Sequence, residues 1–128
     1  MERELGLLSV SAPVYNEGPG VREFYARVRD ALEGLEWELV LVDDGSQDDT
    51  AEHLEALAAE DPRVKVVFLS RNFGYQPAVA AGLDHCTGDA VVTIDSDLQD
   101  PPEVIPELVQ RWREGDDVVY AVRETREG

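Results

Sequence analysis

Two hydrophobic periodicities alternate along this chain, and the alternation constrains its fold more than any other feature. Short runs of aliphatic and β-branched residues predict strands at residues 7–14, 38–42, 64–69, 90–94 and 118–122. Between these runs apolar residues recur at helical spacing, which predicts helices that begin near Val21, Thr50, Gln76 and Pro101. Because strands alternate with helices and are apolar on both faces, we expect an α/β domain with a mostly parallel sheet covered by helices on both faces.

The expected topology brings the polar loops of the chain together. Crossover connections between parallel strands are right-handed, so the carboxyl ends of the strands lie along one edge of the sheet. The first, second and fourth predicted strands are each followed at once by polar residues, at 15–17, 43–46 and 95–97. Open α/β sheets bind their ligands at this edge, and we therefore expect the functional site there.

The length and charge of the chain restrict its class and its partners. Its 128 residues fit a single domain, residues 1–128, and no apolar run approaches the roughly 20 residues of a membrane helix. Eleven basic against 28 acidic residues give a net charge of −17. Such a surface repels the phosphates of nucleic acids and of anionic lipids, and it favours a bound divalent cation. We therefore expect no nucleic-acid partner.

The sequence also favours a cytoplasmic location. Residues 1–4 carry more acid than base, unlike the start of a signal peptide. The single cysteine, Cys86, cannot form a disulfide within the chain, which is typical of a reducing compartment. No activating cluster surrounds Cys86 in the sequence, so we expect it to pack at a helix end and not to act as a nucleophile.

The sharpest chemical signal is a pair of carboxylates directly after the fourth predicted strand. Asp95 and Asp97 are separated by one residue, so both can turn toward one cation. Carboxylate oxygens suit Mg²⁺ or Mn²⁺, which commonly take one or two carboxylates and complete their shell with substrate phosphates. Gln99 offers a third oxygen from the same loop. The competing interpretation is an ordinary solvated turn, since this spacing is common in acidic proteins.

The loops after the first two strands favour a nucleoside as the ligand. Tyr15 offers a flat apolar face for a base, and Glu17 offers an acceptor. Asp44 follows the second strand, where dinucleotide-binding folds place an acid that accepts hydrogen bonds from a nucleoside. Each of these residues also has an ordinary role in a turn or in core packing. Residues 18–20 match no glycine-rich phosphate motif, which disfavours ordinary NAD or ATP binding.

Four motifs occur in order and together resemble a known family. They are Pro13-Val14-Tyr15-Asn16-Glu17, Val42-Asp43-Asp44-Gly45-Ser46, Ser70-Arg71-Asn72-Phe73-Gly74 and Asp95-Ser96-Asp97-Leu98-Gln99-Asp100-Pro101-Pro102. The set resembles the inverting family 2 glycosyltransferases of GT-A fold, and most closely the branch that transfers sugars to polyprenol or dolichol phosphate. This resemblance covers essentially the whole chain and implies a Rossmann-like sheet that binds a nucleotide-sugar.

The resemblance implies which residues contact the donor. The implied nucleotide-sugar contacts are Pro13, Tyr15, Glu17, Val42, Asp44, Ser96 and Arg123. Within this set Asp44 would lie near the base, Val42 would line the pocket and Arg123 would reach the diphosphate. Ser96 stands where alanine is more usual in this branch, a change too small to disturb the carboxylates on either side of it.

The resemblance also implies a reaction, the transfer of a hexosyl unit from a UDP- or GDP-linked sugar to a polyprenyl phosphate or another acceptor. Asp95 and Asp97, with Gln99, would hold a Mg²⁺ or Mn²⁺ ion that neutralises charge on the departing nucleoside diphosphate. The two aspartates would thus be the catalytic residues. An acceptor phosphate has a second pKa near ~6 and can attack without a protein base. The two histidines, His53 and His85, fall on predicted helices and are not expected to serve as bases.

Complete catalytic domains of this family are longer, so we expect this chain to hold the donor-binding half of one. Contacts with the acceptor, and with the cytoplasmic face of the membrane, would come from a later segment. One alternative is a module that binds a nucleoside diphosphate and metal without turnover. Another is a phosphoryl-transfer hydrolase or receiver domain built on Asp95, which needs a lysine at the same edge. The sole lysine, Lys65, falls at the start of the third predicted strand, at the opposite edge.

Overall fold

The alternation of strand and helix is confirmed in the structure, a computed structural model that describes residues 4–99 and 101–115. The elements follow one another in the order β1 (Leu8–Val14), α1 (Gly20–Ala31), β2 (Trp37–Asp43), α2 (Thr50–Glu60), β3 (Val64–Phe68), α3 (Tyr75–Asp84), β4 (Ala90–Thr93), a 3₁₀ turn (Pro102–Val104) and α4 (Ile105–Arg113). The predicted fifth strand, residues 118–122, lies outside the described residues.

The described strands form one parallel sheet in the order β3-β2-β1-β4. β1 pairs with β2 from Leu8 beside Trp37 to Val14 beside Asp43, and its other edge pairs with β4. The chain therefore moves outward from β1 to β3 and then returns to the opposite side of β1. The crevice between β1 and β4 is the topological switch point, where sheets of this kind bind ligands.

Helices cover both faces of the sheet, as predicted. One face packs against α1, α2 and α4 through a large apolar cluster that includes Phe24, Leu54 and Ile105. The other face packs against α3 through a smaller cluster that contains Val42 and Ala78. Because both faces of β2 are covered, all of its residues are buried and its sequence is almost continuously apolar.

The outer strands of the described sheet are less buried than their apolar sequences predict. Phe68 in β3 and Val91 in β4 are each nearly half exposed. Both strands pair on one side only among the described strands, because β3 and β4 occupy the two ends of the strand order. The most strongly buried strands are therefore β1 and β2, which carry the centre of the core.

The described helices are short, and the last one starts later than predicted. The longest, α1, has 12 residues, and no helix in the described ranges is both long and apolar enough to cross a bilayer. The helix expected near Pro101 opens as the 3₁₀ turn and becomes α-helical only at Ile105. Pro106 occupies the first turn of α4, where its missing N–H has no intrahelical partner to lose.

Candidate active site

A cavity of about 400 Å³ lies at the carboxyl ends of the strands. Four loops contribute to it, one after each described strand. The lining residues are Pro13, Val14, Tyr15, Glu17, Asp44, Asn72, Gly74, Tyr75, Asp95, Ser96, Asp97 and Gln99. The predicted convergence of the loops after the first, second and fourth strands on one site is therefore present in the structure.

Most of the residues predicted to bind donor or metal line this cavity. Eight of them lie together there: Pro13, Tyr15, Glu17, Asp44, Asp95, Ser96, Asp97 and Gln99. Val42 does not, because its side chain is fully buried on the α3 face of the sheet, in the cluster with Ala78. Val42 therefore packs against α3 in this structure, and its predicted contact with the nucleotide remains a prediction. Arg123 lies outside the described residues.

The loops after β1 and β2 are joined by two hydrogen bonds at Asn16. The backbone N–H of Asn16 donates to the Ser46 hydroxyl at 2.9 Å, and its side-chain oxygen accepts from the Gln47 N–H at 2.8 Å. Asn16 adopts a φ of 51°, a left-handed conformation that asparagine tolerates better than most residues. These bonds hold the segment that carries Tyr15 and Glu17 against the segment that follows β2.

Asp44 holds the loop that follows β3. Its carboxylate accepts hydrogen bonds from the Phe73 N–H at 2.8 Å, and from the Gly74 N–H and the Asn72 amide, both at 3.1 Å. The side chain is 5% exposed, so these bonds replace the water that burial removes. Asp44 is therefore an anchor of the cavity wall, and its predicted contact with the nucleoside remains a prediction.

Gly45 makes this anchoring possible. Its φ is +75°, and a Cβ at this position would lie 2.4 Å from backbone atoms of Arg71 and Asn72. A backbone contact of this kind cannot be relieved by rotating a side chain. The Asp-Asp-Gly sequence after β2 is thus explained by the close approach of the loop after β3.

The loop with the two aspartates is fixed to β1 and within itself. The Ser96 hydroxyl donates to the Pro13 carbonyl at 3.0 Å, which joins the ends of β1 and β4. Asp97 accepts from the backbone and side-chain N–H groups of Gln99, at 3.2 and 2.7 Å. Leu98 between them has a φ of 67°, a strained conformation for leucine that persists only where its surroundings impose it. The predicted third metal ligand, Gln99, thus orients Asp97 in this structure.

The cavity concentrates negative charge. Burial raises the pKa of the Glu17 carboxyl above its usual value, and the charges of Asp97 and Asp48 raise it further. None of the described residues that line the cavity is Lys, Arg or His. Within the described ranges no group of three or more His, Cys, Asp or Glu is placed to hold a metal ion. The carboxylates present fit a divalent cation that takes its remaining ligands from a bound substrate.

The sequence reasoning missed the contribution of the loop after β3. Asn72, Gly74 and Tyr75 line the cavity, and the Tyr75 hydroxyl donates to an Asp95 carboxylate oxygen at 3.0 Å. Polar residues follow the third predicted strand as they follow the other strands that end at this edge. That signal was sufficient to place the loop at the same edge.

The other reactive side chains lie away from the cavity. The Lys65 ammonium donates to Glu38 at 2.6 Å on the opposite half of the sheet, so it does not supply the lysine that a hydrolase or receiver site would need. His53 lies within α2, as predicted, whereas His85 lies just beyond the end of α3 and not within the predicted helix. Cys86 is partly buried after α3, and burial raises the pKa of its thiol, which suits packing and not nucleophilic attack.

Comparison with known proteins agrees with this geometry. Two relatives are the prophage bactoprenol glucosyl transferase homolog of Escherichia coli (strain K12) and the undecaprenyl-phosphate 4-deoxy-4-formamido-L-arabinose transferase of Klebsiella pneumoniae (strain 342). They are 48% and 47% identical to this chain over 121 and 123 residues, which is 93% and 94% of the chain. The chain spans 40% and 38% of their lengths.

A solved structure with the same fold is the mannosyltransferase PcManGT of Pyrobaculum calidifontis in complex with GDP-Man and Mn²⁺. It superposes with a TM-score of 0.74 at 25% identity, over 90% of this chain and 34% of its own. This likeness confirms the predicted GT-A fold. The family profile of Glycosyl transferase family 2 matches residues 9–128, which is most of the sequence. The chain belongs to glycosyl transferase family 2.

Proposed function

We propose that this chain is the donor-binding part of an inverting, cation-dependent glycosyltransferase. The enzyme would transfer a hexosyl unit from a UDP- or GDP-linked sugar to a polyprenyl phosphate. The observation that carries the proposal is the convergence of Tyr15, Glu17, Asp44, Asp95 and Asp97 on one cavity at the switch point of the sheet.

The nucleoside end of the donor is assigned to the side of the cavity formed by Tyr15 and Asp44. The Tyr15 ring is 43% exposed, which leaves a face for a base to stack on. One oxygen of Asp44 accepts from Asn72 and Gly74, and the other accepts from Phe73. A carboxylate has about four acceptor positions, so Asp44 retains capacity for a donor on the nucleoside.

The diphosphate end is assigned to Asp95 and Asp97. A diphosphate is an anion, and the mutual repulsion of Glu17 and Asp97 makes the bare cavity a poor place for one. Asp95 and Asp97 would hold Mg²⁺ or Mn²⁺, and Gln99 would keep Asp97 in place by its two hydrogen bonds. When bound, the cation stabilises the charge that develops on the leaving nucleoside diphosphate.

The proposed acceptor follows from the relatives and from the side chains of the cavity. The two relatives compared above are named for bactoprenol and undecaprenyl phosphate. No described residue lining the cavity is a histidine, lysine or cysteine that would serve as a base near neutral pH. A phosphate acceptor suits such a site, because its second pKa of ~6 leaves it ionised at neutral pH.

A transfer assay on the complete gene product tests this proposal. UDP- and GDP-hexoses are offered with a short polyprenyl phosphate or with the matching polyprenol, with Mn²⁺ or with a chelator. We expect a polyprenyl-phosphate-linked sugar to form only when both the polyprenyl phosphate acceptor and the cation are present. Equal product with the chelator would contradict the role of the cation, and equal product with the polyprenol would contradict the acceptor.

The same assay on the 128-residue chain tests whether this chain binds the donor but cannot transfer the sugar alone. The chain spans about two fifths of its relatives' length, and we expect it to bind the donor without transferring the sugar. Transfer by the chain alone would show that the acceptor site also lies within residues 1–128. Binding without transfer by the complete gene product would favour the alternative of a binding module without turnover.

A further inference from the structure

We infer that Tyr75 is a positioning residue for Asp95, whose carboxylate it holds in the orientation from which the cation of the donor complex is bound. The inference deepens the proposed function and rests on it. Tyr75 is the first residue of α3, directly after the loop that follows β3, and it was not among the predicted site residues.

The contact itself is a hydrogen bond between two side chains that line the same cavity. The Tyr75 hydroxyl donates to Oδ1 of Asp95 at 3.0 Å. A phenol donates one proton, whereas a carboxylate has about four acceptor positions, so this bond by itself does not prevent Asp95 from binding a cation. Groups that hydrogen-bond to metal ligands fix the orientation of those ligands and commonly control metal affinity.

The position of Tyr75 is itself imposed by the surrounding structure. Tyr75 is the first residue of α3, and Gly74 before it has a φ of +105°, which favours glycine. The N–H groups of Phe73 and Gly74 both donate to Asp44. Since Asp44 is buried directly after β2, it fixes the point at which α3 begins and therefore the reach of the tyrosine.

This arrangement links the two ends of the proposed donor site. Asp44 lies on the side assigned to the nucleoside, and Asp95 lies on the side assigned to the diphosphate. The connection runs from Asp44 through the loop after β3 to Tyr75, and from its hydroxyl to Asp95. A change at Asp44 should therefore reach the cation, although Asp44 is not expected to be one of its ligands.

The test measures the affinity of the metal-free protein for Mn²⁺ alone, by electron paramagnetic resonance of the free ion. The variant is Tyr75→Phe, which keeps the ring and removes the hydroxyl. The matched control is Tyr25→Phe, because the Tyr25 hydroxyl also donates to an aspartate, Asp61, at 2.6 Å and away from the cavity. We expect Tyr75→Phe to weaken Mn²⁺ binding by about 10- to 100-fold. Tyr25→Phe should leave it within about twofold, as expected for a distant site.

A second readout separates positioning from general damage to the fold. The Tyr75 side chain is 57% exposed, so Tyr75→Phe should leave the thermal midpoint of the metal-free protein unchanged. In the transfer assay it should raise the Mn²⁺ concentration that gives half-maximal rate, and saturating Mn²⁺ should restore most of kcat. Asp44→Asn should weaken Mn²⁺ binding in the same direction.

The outcomes distinguish the inference from the proposed function. If wild-type protein binds Mn²⁺ and Tyr75→Phe binds it equally well, the inference is wrong and the proposed function stands. If Tyr25→Phe weakens binding as much as Tyr75→Phe, the effect is a general one and the inference is again wrong. If wild-type protein binds no Mn²⁺ either alone or with UDP or GDP, both the inference and the cation dependence of the proposed function fail.

Discussion

Acidic residues at the two ends of the parallel sheet have different neighbours. On the half that holds the amino ends, buried Glu38 accepts a hydrogen bond from the Lys65 ammonium at 2.6 Å. At the carboxyl ends, the charges of Glu17 and Asp97 repel each other in a cavity whose described lining contains no cationic side chain. The acid at the amino ends thus pairs with a basic side chain of the protein, whereas no basic side chain of the described lining faces the acids at the carboxyl ends.

The pKa shifts of the two regions have opposite signs. Burial raises the pKa of Glu38, but hydrogen bonds from Lys65, Ser9 and Thr87 outweigh burial and lower this pKa to about 2. The Arg63 guanidinium likewise holds the pKa of Asp61 well below its usual range. Burial and neighbouring acids raise the pKa of Glu17 instead. A carboxylate with a lowered pKa stabilises the fold, whereas one with a raised pKa marks a charge that the fold alone does not compensate.

The largest expected effect is the loss of cation binding when Asp97 is neutralised. Asp97→Asn keeps the shape of the side chain and removes its charge, so we expect Mn²⁺ affinity to fall by at least about 100-fold. The stability of the metal-free protein should not decrease, because the substitution also removes the repulsion of Glu17. Calorimetric titration with Mn²⁺ and urea unfolding measure the two quantities. Unchanged affinity would contradict the assignment of Asp97 as a ligand.

The matched substitution in the other region should have the reverse outcome. Asp61 is 5% exposed and accepts two hydrogen bonds from the Arg63 guanidinium, at 3.0 and 2.8 Å. Asp61→Asn removes one charge of this pair, and we expect the free energy of unfolding to fall by about 2 kcal/mol. Mn²⁺ affinity should be unaffected. A change in Mn²⁺ affinity with no loss of stability would break the proposed separation of the two regions.

A smaller loss of folding stability is expected when the pH is lowered. Glu38 and Asp61 have lower pKa values in the folded state than in the unfolded state. Their contribution to stability is therefore complete above the ordinary glutamate pKa of 4.5 and is lost as the pH falls toward 2. Urea unfolding of the metal-free protein at a series of pH values measures this. In Asp61→Asn the decline should be shallower, and an equally steep decline would show that other acids cause it.

The smallest expected effect concerns Glu17. Glu17→Gln removes one member of the repelling pair, and we expect it to stabilise the metal-free protein by about 0.5 kcal/mol, since Glu17 is only partly buried and solvent screens its charge. The midpoint of thermal unfolding at low ionic strength measures this gain, which should shrink in high salt. Destabilisation by Glu17→Gln would show that the carboxylate is compensated by a partner and that the contrast between the two regions is overdrawn.

The sequence was sufficient to predict the α/β class and the place of the site. The switch between helical and strand periodicity predicted each described strand to within two residues at each end. The handedness of the crossovers then predicted that Tyr15, Asp44 and Asp97 would meet, and they line one cavity. Both inferences depend on local patterns and on a rule of topology, so no knowledge of side-chain packing was needed.

The features that could not be predicted are of two kinds. One is the face of the sheet on which a side chain lies, and the other is hydrogen bonding between residues that are distant in sequence. The run from Leu39 to Val42 in β2 is wholly apolar, so its pattern does not reveal which face each residue occupies, and the packing of Val42 against α3 could not be predicted. The bond between Glu38 and Lys65 requires that β2 and β3 be neighbours in register. The bond between Tyr75 and Asp95 joins the start of α3 to the loop after β4, 20 residues away in the sequence, and no spacing in the sequence encodes it.

The most direct test of this account is the calorimetric titration of the protein with UDP and with GDP, each with and without Mn²⁺. We expect that at least one of the two nucleotides binds when Mn²⁺ is present and that binding is lost in a chelator. Equal affinity with and without the cation, or no binding of either nucleotide when Mn²⁺ is present, would contradict the claim that the carboxylates at this end of the sheet are arranged for a cation and its nucleotide.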